Sequence, residues 1–335
     1  MQPYEKLEVA YADHIGVSHA CAVNTGTAAL HLALEALELS EDSKVIVPEF
    51  TMYASGMAVY YARLTPVFVD CDDNLLINLE HVREHLRGDP KIRVLMVTHV
   101  YGRVVNMAEV MSIAEEFDVR VIEDACEAQG AYSGGSHFCT GWFGAKPIGS
   151  FDIGCFSFYQ NKIIHAEEGG IIVSDDEALI KKAKDMRSMS FGDTHNYYHE
   201  RIGFNYRCTN SQASMVLESL ANVDENLDKR QQICDLYNFY IDEKNQMPDN
   251  RAVVWVYDMK HHDANMVVKI LKSKGIRARH SFKPMSYQPI FKHATTGKNA
   301  LRKSEEVFYV HINPDQTVDE IKNNANIINE VLYGI

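Results

Sequence analysis

The 335-residue chain lacks the short devices that mark many ligand-binding enzymes. It has no G-x-x-x-x-G-K-[ST] loop and no G-x-G-x-x-G turn, so neither common glycine-rich phosphate signature applies. It has no H-E-x-x-H, and its 15 histidines show no ligand spacing, which argues against a structural metal. The seven cysteines (21, 71, 126, 139, 155, 208 and 234) are scattered singly without a C-x-x-C, so reduced thiols in a cytoplasmic protein are expected. No apolar run is long enough to cross a bilayer. The opening MQPYEKLEVAYADHIG is charged and amphipathic, unlike a signal peptide. Positive charge is also in short supply: 33 Lys and Arg face 46 Asp and Glu, for a net charge of −13. That balance argues against nucleic acid or an anionic membrane as a partner. An anionic small substrate would need local cations or helix N-termini.

What is present is an ordinary globular composition, 46% hydrophobic and 24% charged, with length for one large and one smaller domain. From residue 20 to about 125, short apolar strands (20–23, 45–48, 65–70, 94–100 and 120–124) alternate with amphipathic helices (28–39, 51–61, 79–87 and 107–117). The alternation predicts an α/β fold with parallel strands and right-handed crossovers. Residues 132–149 read as an irregular loop or hairpin. Strands follow at 153–157 and 170–173, and a helix at 177–187. Residues 189–210 are polar and aromatic without a period, which in a compact chain points to function. A long helical run over 211–245 carries the chain into a strand–helix–strand–strand–helix unit. Its strands are expected at 253–257, 276–280 and 307–312, with helices at 265–274 and 318–332. The expected division is 1–222 and 223–335.

Two positions carry the chemistry. Lys162 lies on the connection between two buried strands, after FSFYQN and before EEGG. Such a lysine either reaches solvent, the commoner outcome, or stays buried and avoids the desolvation cost by forming an imine with an aldehyde. Asp124 ends the strand VIED, and functional groups of parallel sheets sit at such carboxyl ends. It either caps the next helix or holds a protonated pyridine nitrogen. The turn NTGT at 24–27 opens a helix and offers free N–H groups to an anion, or is capped by Thr25 or Thr27.

In order along the chain, NTGTAAL (24–30), PEFTMYAS (48–55), TPVFVD (65–70), VIEDACEA (121–128), CFSFYQNK (155–162) with EGG (168–170), and GFNYRCTN (203–210) resemble the DegT/DnrJ/EryC1/StrS family of pyridoxal 5′-phosphate-dependent sugar aminotransferases. The resemblance implies fold-type I architecture: a large domain with a mostly parallel mixed sheet flanked by helices, and a smaller C-terminal α+β domain. It implies that Lys162 carries the cofactor and shuttles its proton, and that Asp124 pairs with the ring nitrogen. Gly26, Thr27 and Ser157 then hold the phosphate, Glu127 lies beside the cofactor, and Asn205 reaches the phosphate of a neighbouring subunit. A homodimer with shared sites and residues 189–210 as a cross-subunit arm follow from the last point. The YYH segment at 197–199 and GFNYRCTN are most similar to enzymes that aminate C4 of a nucleotide-linked 4-keto-6-deoxyhexose, of perosamine or viosamine type, with L-glutamate as donor. The diphosphate is then expected near Arg187, Arg201 or Arg207. A sugar-dehydratase branch has histidine in place of the lysine, and His165 is three residues too late to be that residue. The alternatives are that dehydratase chemistry, or a paralogue that binds cofactor or nucleotide sugar but turns over poorly. Four departures motivate the last: a short segment before the Glu5 helix, Met52 where an aromatic usually stacks on the ring, Glu167 as a second carboxylate expected near Lys162, and a trimmed stretch between 246 and 253.

Overall fold

The computed structural model describes residues 1–134, 145–192, 197–248, 250–291 and 297–335. Ten strands and eleven α-helices are named in chain order. The first part runs α1 (Pro3–Ile15), β1 (His19–Val23), α2 (Gly26–Ala36), β2 (Lys44–Pro48), α3 (Tyr53–Tyr61), β3 (Thr65–Val69), α4 (Leu79–Gly88), β4 (Ile92–Thr98), α5 (Met107–Phe117), β5 (Arg120–Asp124), β6 (Ile153–Ser157), β7 (Gly170–Ser174) and α6 (Glu177–Arg187). Strands β1 to β7 form one sheet in the order β1-β7-β6-β5-β4-β2-β3. Only β7 runs against the others, pairing antiparallel with both β6 and β1. The α/β expectation holds, and β1 lies at the sheet edge beside β7.

The continuous apolar reading of β4 has a structural reason. Leu95 and Val97 enter the core on one face, and Val94 and Met96 enter the core on the other. A strand covered on both sides must be apolar at every position. The first core includes Leu7, Tyr11, Val110 and Ile113 from α1 and α5; the second includes Leu30, Leu34 and Leu179 from α2 and α6.

The helical run over 211–245 divides into α7 (Asn210–Ala221) and α8 (Val223–Tyr240), with Asn222 between them. After it come β8 (Val256–Lys260), α9 (Ala264–Ser273), β9 (Ala278–His280), α10 (Lys298–Glu306), β10 (Val307–His311) and α11 (Val318–Gly334). The first of these strands starts three residues later than the apolar run suggested, because 252–255 pack their side chains into cores without joining the ladder. Helix α10 went unread. The three strands form an antiparallel sheet, β8-β10-β9, over a core with Ile233, Tyr237, Leu271, Phe308 and Ile328. This part is pinned to the large sheet by Arg103, fully buried after β4. Its guanidinium lies 2.9 Å from Asp258 Oδ2, though not aligned as a hydrogen bond, and donates to Asn250 Oδ1 at 2.9 Å. Part of the loop expected over 132–149 lies outside the described residues. The rest is tied by a Tyr132–Pro147 bridge.

Candidate active site

The carboxyl ends of β1, β4, β5 and β6 and the start of β7 meet at one edge of the large sheet. Lys162 sits there on a tightly tied connection. Phe158 N–H donates to Gly169 O and Ala166 N–H to Phe158 O, each at 2.8 Å. Gln129, buried, clamps the same segment: its amide nitrogen donates to Ser157 O and Ile164 O at 3.1 Å, and its oxygen accepts from Ile164 N–H at 2.9 Å. The flanking Ile163 and Ile164 enter the core. Lys162 itself is only 9% exposed. Its Nζ lies 3.8 Å from Glu127 Oε1 and 4.0 Å from the centre of the Trp255 ring. The solvent-reaching alternative is therefore set aside by geometry. A carboxylate and an aromatic face are the two partners that make a buried ammonium tolerable.

Asp124 is buried at the end of β5. Its Oδ2 accepts from Ser55 Oγ at 2.8 Å and its Oδ1 from Cys126 N–H at 3.3 Å. Thr51 lies 3.1 Å from Ser55 and donates to Thr98 at 3.0 Å, which completes a hydroxyl chain behind the carboxylate. Among the described residues no cation pairs with Asp124. A buried carboxylate held only by neutral donors, facing a cavity, suits a ligand that brings its own positive charge. It is not the helix cap that it resembled in sequence.

Beside it, α2 begins at Gly26. Thr25 is its N-cap and accepts from Ala28 N–H at 3.1 Å, so the N–H groups of Gly26 and Thr27 keep no partner within the helix. The helix start approaches β6 so closely that a Cβ on Gly26 would sit 2.6 Å from Ser157 Cβ. The same crowding occurs at Gly170, where a Cβ would lie 2.3 Å from Thr25 O. These two glycines let a helix N-terminus and the Ser157 hydroxyl converge on one point.

Gly26, Thr27, Asp124, Glu127, Ser157 and Lys162 all line one cavity of about 530 Å³. Its size suits a substituted aromatic ring with a phosphate tail. An anion fits the helix start, a cationic ring fits Asp124 and an aldehyde fits Lys162, so this donor set suits pyridoxal 5′-phosphate. Burial pushes the Glu127 carboxyl up to about 7, against the pull of Lys162 and of the Tyr101 N–H that donates to Oε2 at 3.0 Å. Burial, with Glu127 adding, raises the Tyr309 hydroxyl to about 12. Trp255, Arg279, Phe282, Tyr309 and His311 complete the wall from the C-terminal part of the chain. Sequence reasoning missed them. The one available signal was that Trp255 is one of two tryptophans and falls beside an expected strand.

The remaining expectations separate. Met52, the N-cap of α3, lines the cavity. Glu167 is exposed, and the carboxylate beside Lys162 is Glu127. Asn205 is exposed and does not line this cavity: its neighbours Phe204 and Tyr206 pack inward, so on extended backbone Asn205 points out. Arg187 is occupied by Glu8 Oε1 at 2.6 Å and Ala22 O at 2.8 Å, and Arg201 lies 3.3 Å from Glu38.

Comparison with known proteins follows the same outline. The sequence profile of the DegT/DnrJ/EryC1/StrS aminotransferase family matches residues 2–330. GDP-perosamine synthase of Caulobacter vibrioides is 35% identical over 304 residues, covering 87% of this chain and 79% of the relative. GDP-perosamine synthase of Escherichia coli O157:H7 is 31% identical over 297 residues, covering 86% and 78%. The solved structure of 3-amino-5-hydroxybenzoic acid synthase superposes with a TM-score of 0.89 at 25% identity, covering 99% of this chain and 91% of that one. With a profile match along nearly its whole length and relatives above 30% identity, the chain belongs to the DegT/DnrJ/EryC1/StrS aminotransferase family.

Proposed function

We propose that the cavity holds pyridoxal 5′-phosphate and that the chain transfers an amino group from L-glutamate to a nucleotide-linked 4-keto-6-deoxyhexose, giving a perosamine- or viosamine-type amino sugar. The observation that carries this is the buried Lys162 amine, poised between Glu127 and the Trp255 face in the cavity that Asp124 also lines. When bound, the cofactor supplies a carbonyl for amine exchange and an electron sink for the adjacent carbon. Asp124 would hold its ring nitrogen protonated. The Gly26 and Thr27 N–H groups and the Ser157 hydroxyl would hold its phosphate. Lys162 would carry the group covalently and move the proton at its Nζ, with Glu127 able to hold or release a proton beside it near neutral pH. Trp255 and Phe282 give the cavity apolar walls that would exclude water.

The reading extends to a homodimer, with Asn205 and the exposed Tyr197, Tyr198 and Ile202 turned toward a second copy. It keeps the division into 1–222 and 223–335, with the cavity walled by both. Six free cysteines among the described residues suit a cytoplasmic setting, and no helix there is long and apolar enough to cross a membrane. The test is reconstitution with the cofactor. Wild type gains visible absorbance that borohydride abolishes while fixing the cofactor to the chain, and transfers nitrogen from labelled glutamate to the keto-sugar. Lys162→Ala does neither. A colourless wild type that cannot be reconstituted, or a product that has lost a hydroxyl without gaining nitrogen, overturns it.

A further inference from the structure

Three arginines lie around His311, which with Arg279 lines the active-site cavity; Arg277 and Arg279 are exposed. Arg277 and Arg279 are two apart at β9, and the partner strand β10 places Tyr309 opposite Arg279. His311 N–H donates to Arg277 O at 3.2 Å, so Arg277, Arg279, Tyr309 and His311 share one face of the small sheet. The third, Arg230 of α8, is only 4% exposed. It donates to Asn226 Oδ1 at 2.9 Å and to Trp255 O at 3.0 Å, both uncharged. Among the described residues no carboxylate pairs with any of the three, in a chain with 13 more acidic than basic side chains. Burial and the three guanidinium groups together hold the His311 imidazole below its ordinary value, and burial brings Arg230 down to about 10.

The cluster has space in front of it. Arg230, Arg277 and His311 line a second cavity of about 680 Å³, which shares Asn161 and His311 with the first. Asn161 directly precedes Lys162, and its buried side-chain oxygen has no hydrogen-bond partner among the described residues. Two acids line this second cavity: Glu225 is taken by Lys229 at 2.8 Å, and the exposed Asp315 stands on its rim. A buried guanidinium without a counter-charge is costly unless a ligand provides one.

Resting on the reading above, the geometry points to Arg230, Arg277 and Arg279 as the site for the phosphoryl groups of the sugar substrate, within one chain and not at Arg187 or Arg201. The diphosphate lies against the three guanidinium groups, bridged past His311. The hexose then reaches inward toward Lys162, and the nucleoside occupies the outer cavity. Planar guanidinium forks bind phosphoryl oxygens in pairs, and this supplies the local positive charge that the composition otherwise lacks.

Titration calorimetry with inorganic pyrophosphate and with GDP or UDP tests this on the reconstituted protein. Arg230 is partly structural, so the variants are Arg277→Gln and Arg279→Gln, singly and together. Each is expected to weaken nucleoside diphosphate about tenfold or more, with the double variant near background. In wild type the nucleoside diphosphate is expected to displace the keto-sugar and to leave the glutamate-driven loss of visible absorbance unchanged. Unchanged nucleotide affinity in the double variant overturns the proposal. So does binding that depends on the arginines but fails to displace the keto-sugar, which marks a separate nucleotide site. Selective loss of the glutamate half-reaction also overturns it, by assigning the cluster to the donor's carboxylate. The variants keep Lys162, so cofactor retained on the chain after borohydride reduction reports the cofactor reading independently.

Discussion

Replacing Glu127 by Gln should stabilise the cofactor-free protein in alkaline solution and leave it nearly unchanged in acid. The carboxyl is 4% exposed and is raised from an ordinary 4.5 to about 7, first by burial. Between those two values the folded state holds a proton that the unfolded chain has released. Stability therefore falls as pH rises through this window, and above about 7 the full cost of a buried carboxylate is present. At 1.36 kcal/mol per unit, the shift from 4.5 to about 7 corresponds to about 3 kcal/mol, with the attraction of Lys162 already counted in it. Glutamine matches the shape and can still accept the Tyr101 N–H, but carries no charge. Urea denaturation of both proteins, at one pH below the window and one above it, reads the difference. The expected result is a Gln-minus-Glu stability that grows by about 3 kcal/mol across the window. A difference that stays flat, or that moves the other way, refutes the claim that burial dominates at Glu127. Cofactor-free protein is used because bound ligand would add its own linkage.

Two further outcomes follow from the packing. Gly26→Ala forces a Cβ to within 2.6 Å of Ser157 Cβ, so the start of α2 must shift away from β6; the expected cost is about 1–3 kcal/mol in denaturant, with cofactor phosphate affinity falling as well, and wild-type affinity would show that the helix start does not hold the anion. Arg103→Met removes one of the two arginines on the buried Asp258, whose Oδ1 lies 3.0 Å from Arg251; a loss of about 3–5 kcal/mol is expected, partly recovered in Arg103→Met with Asp258→Asn, and the absence of any recovery would put the cost in packing.

How the site could be read from sequence depended on where each residue stands. Asp124, Ser157 and Gly26 follow or end short apolar strands, so the strand pattern alone delivered them to one sheet edge. Helices α4, α5 and α6 start where the pattern puts them because Asn78, Asn106 and Asp176 cap them with their side chains, whereas α2 starts and ends earlier than 28–39 and α3 starts later than 51. Over 211–260 the pattern was weaker. Asn222 interrupts a helical run without a glycine or proline to announce it, and the apolar residues 252–255 serve cores from outside the ladder. Met52 at the cavity wall was legible, while Glu167 was misjudged: its place in sequence near Lys162 does not put its side chain there.

By itself the sequence determined the α/β frame and the family, and it singled out Lys162 and Asp124, because strand period and residue type are local properties. Only the tertiary structure decided that Glu127, rather than Glu167, stands beside Lys162. It alone brought Trp255, Arg279, Tyr309 and His311 across from the C-terminal sheet to wall the cavity. It also showed which arginines have a carboxylate beside them and, among the described residues, which do not. Those facts depend on contacts between residues far apart in the chain, such as Lys162 with Glu127 and with Trp255. No pattern along a strand or helix encodes them; they arise only when the connections between strands are folded against one another.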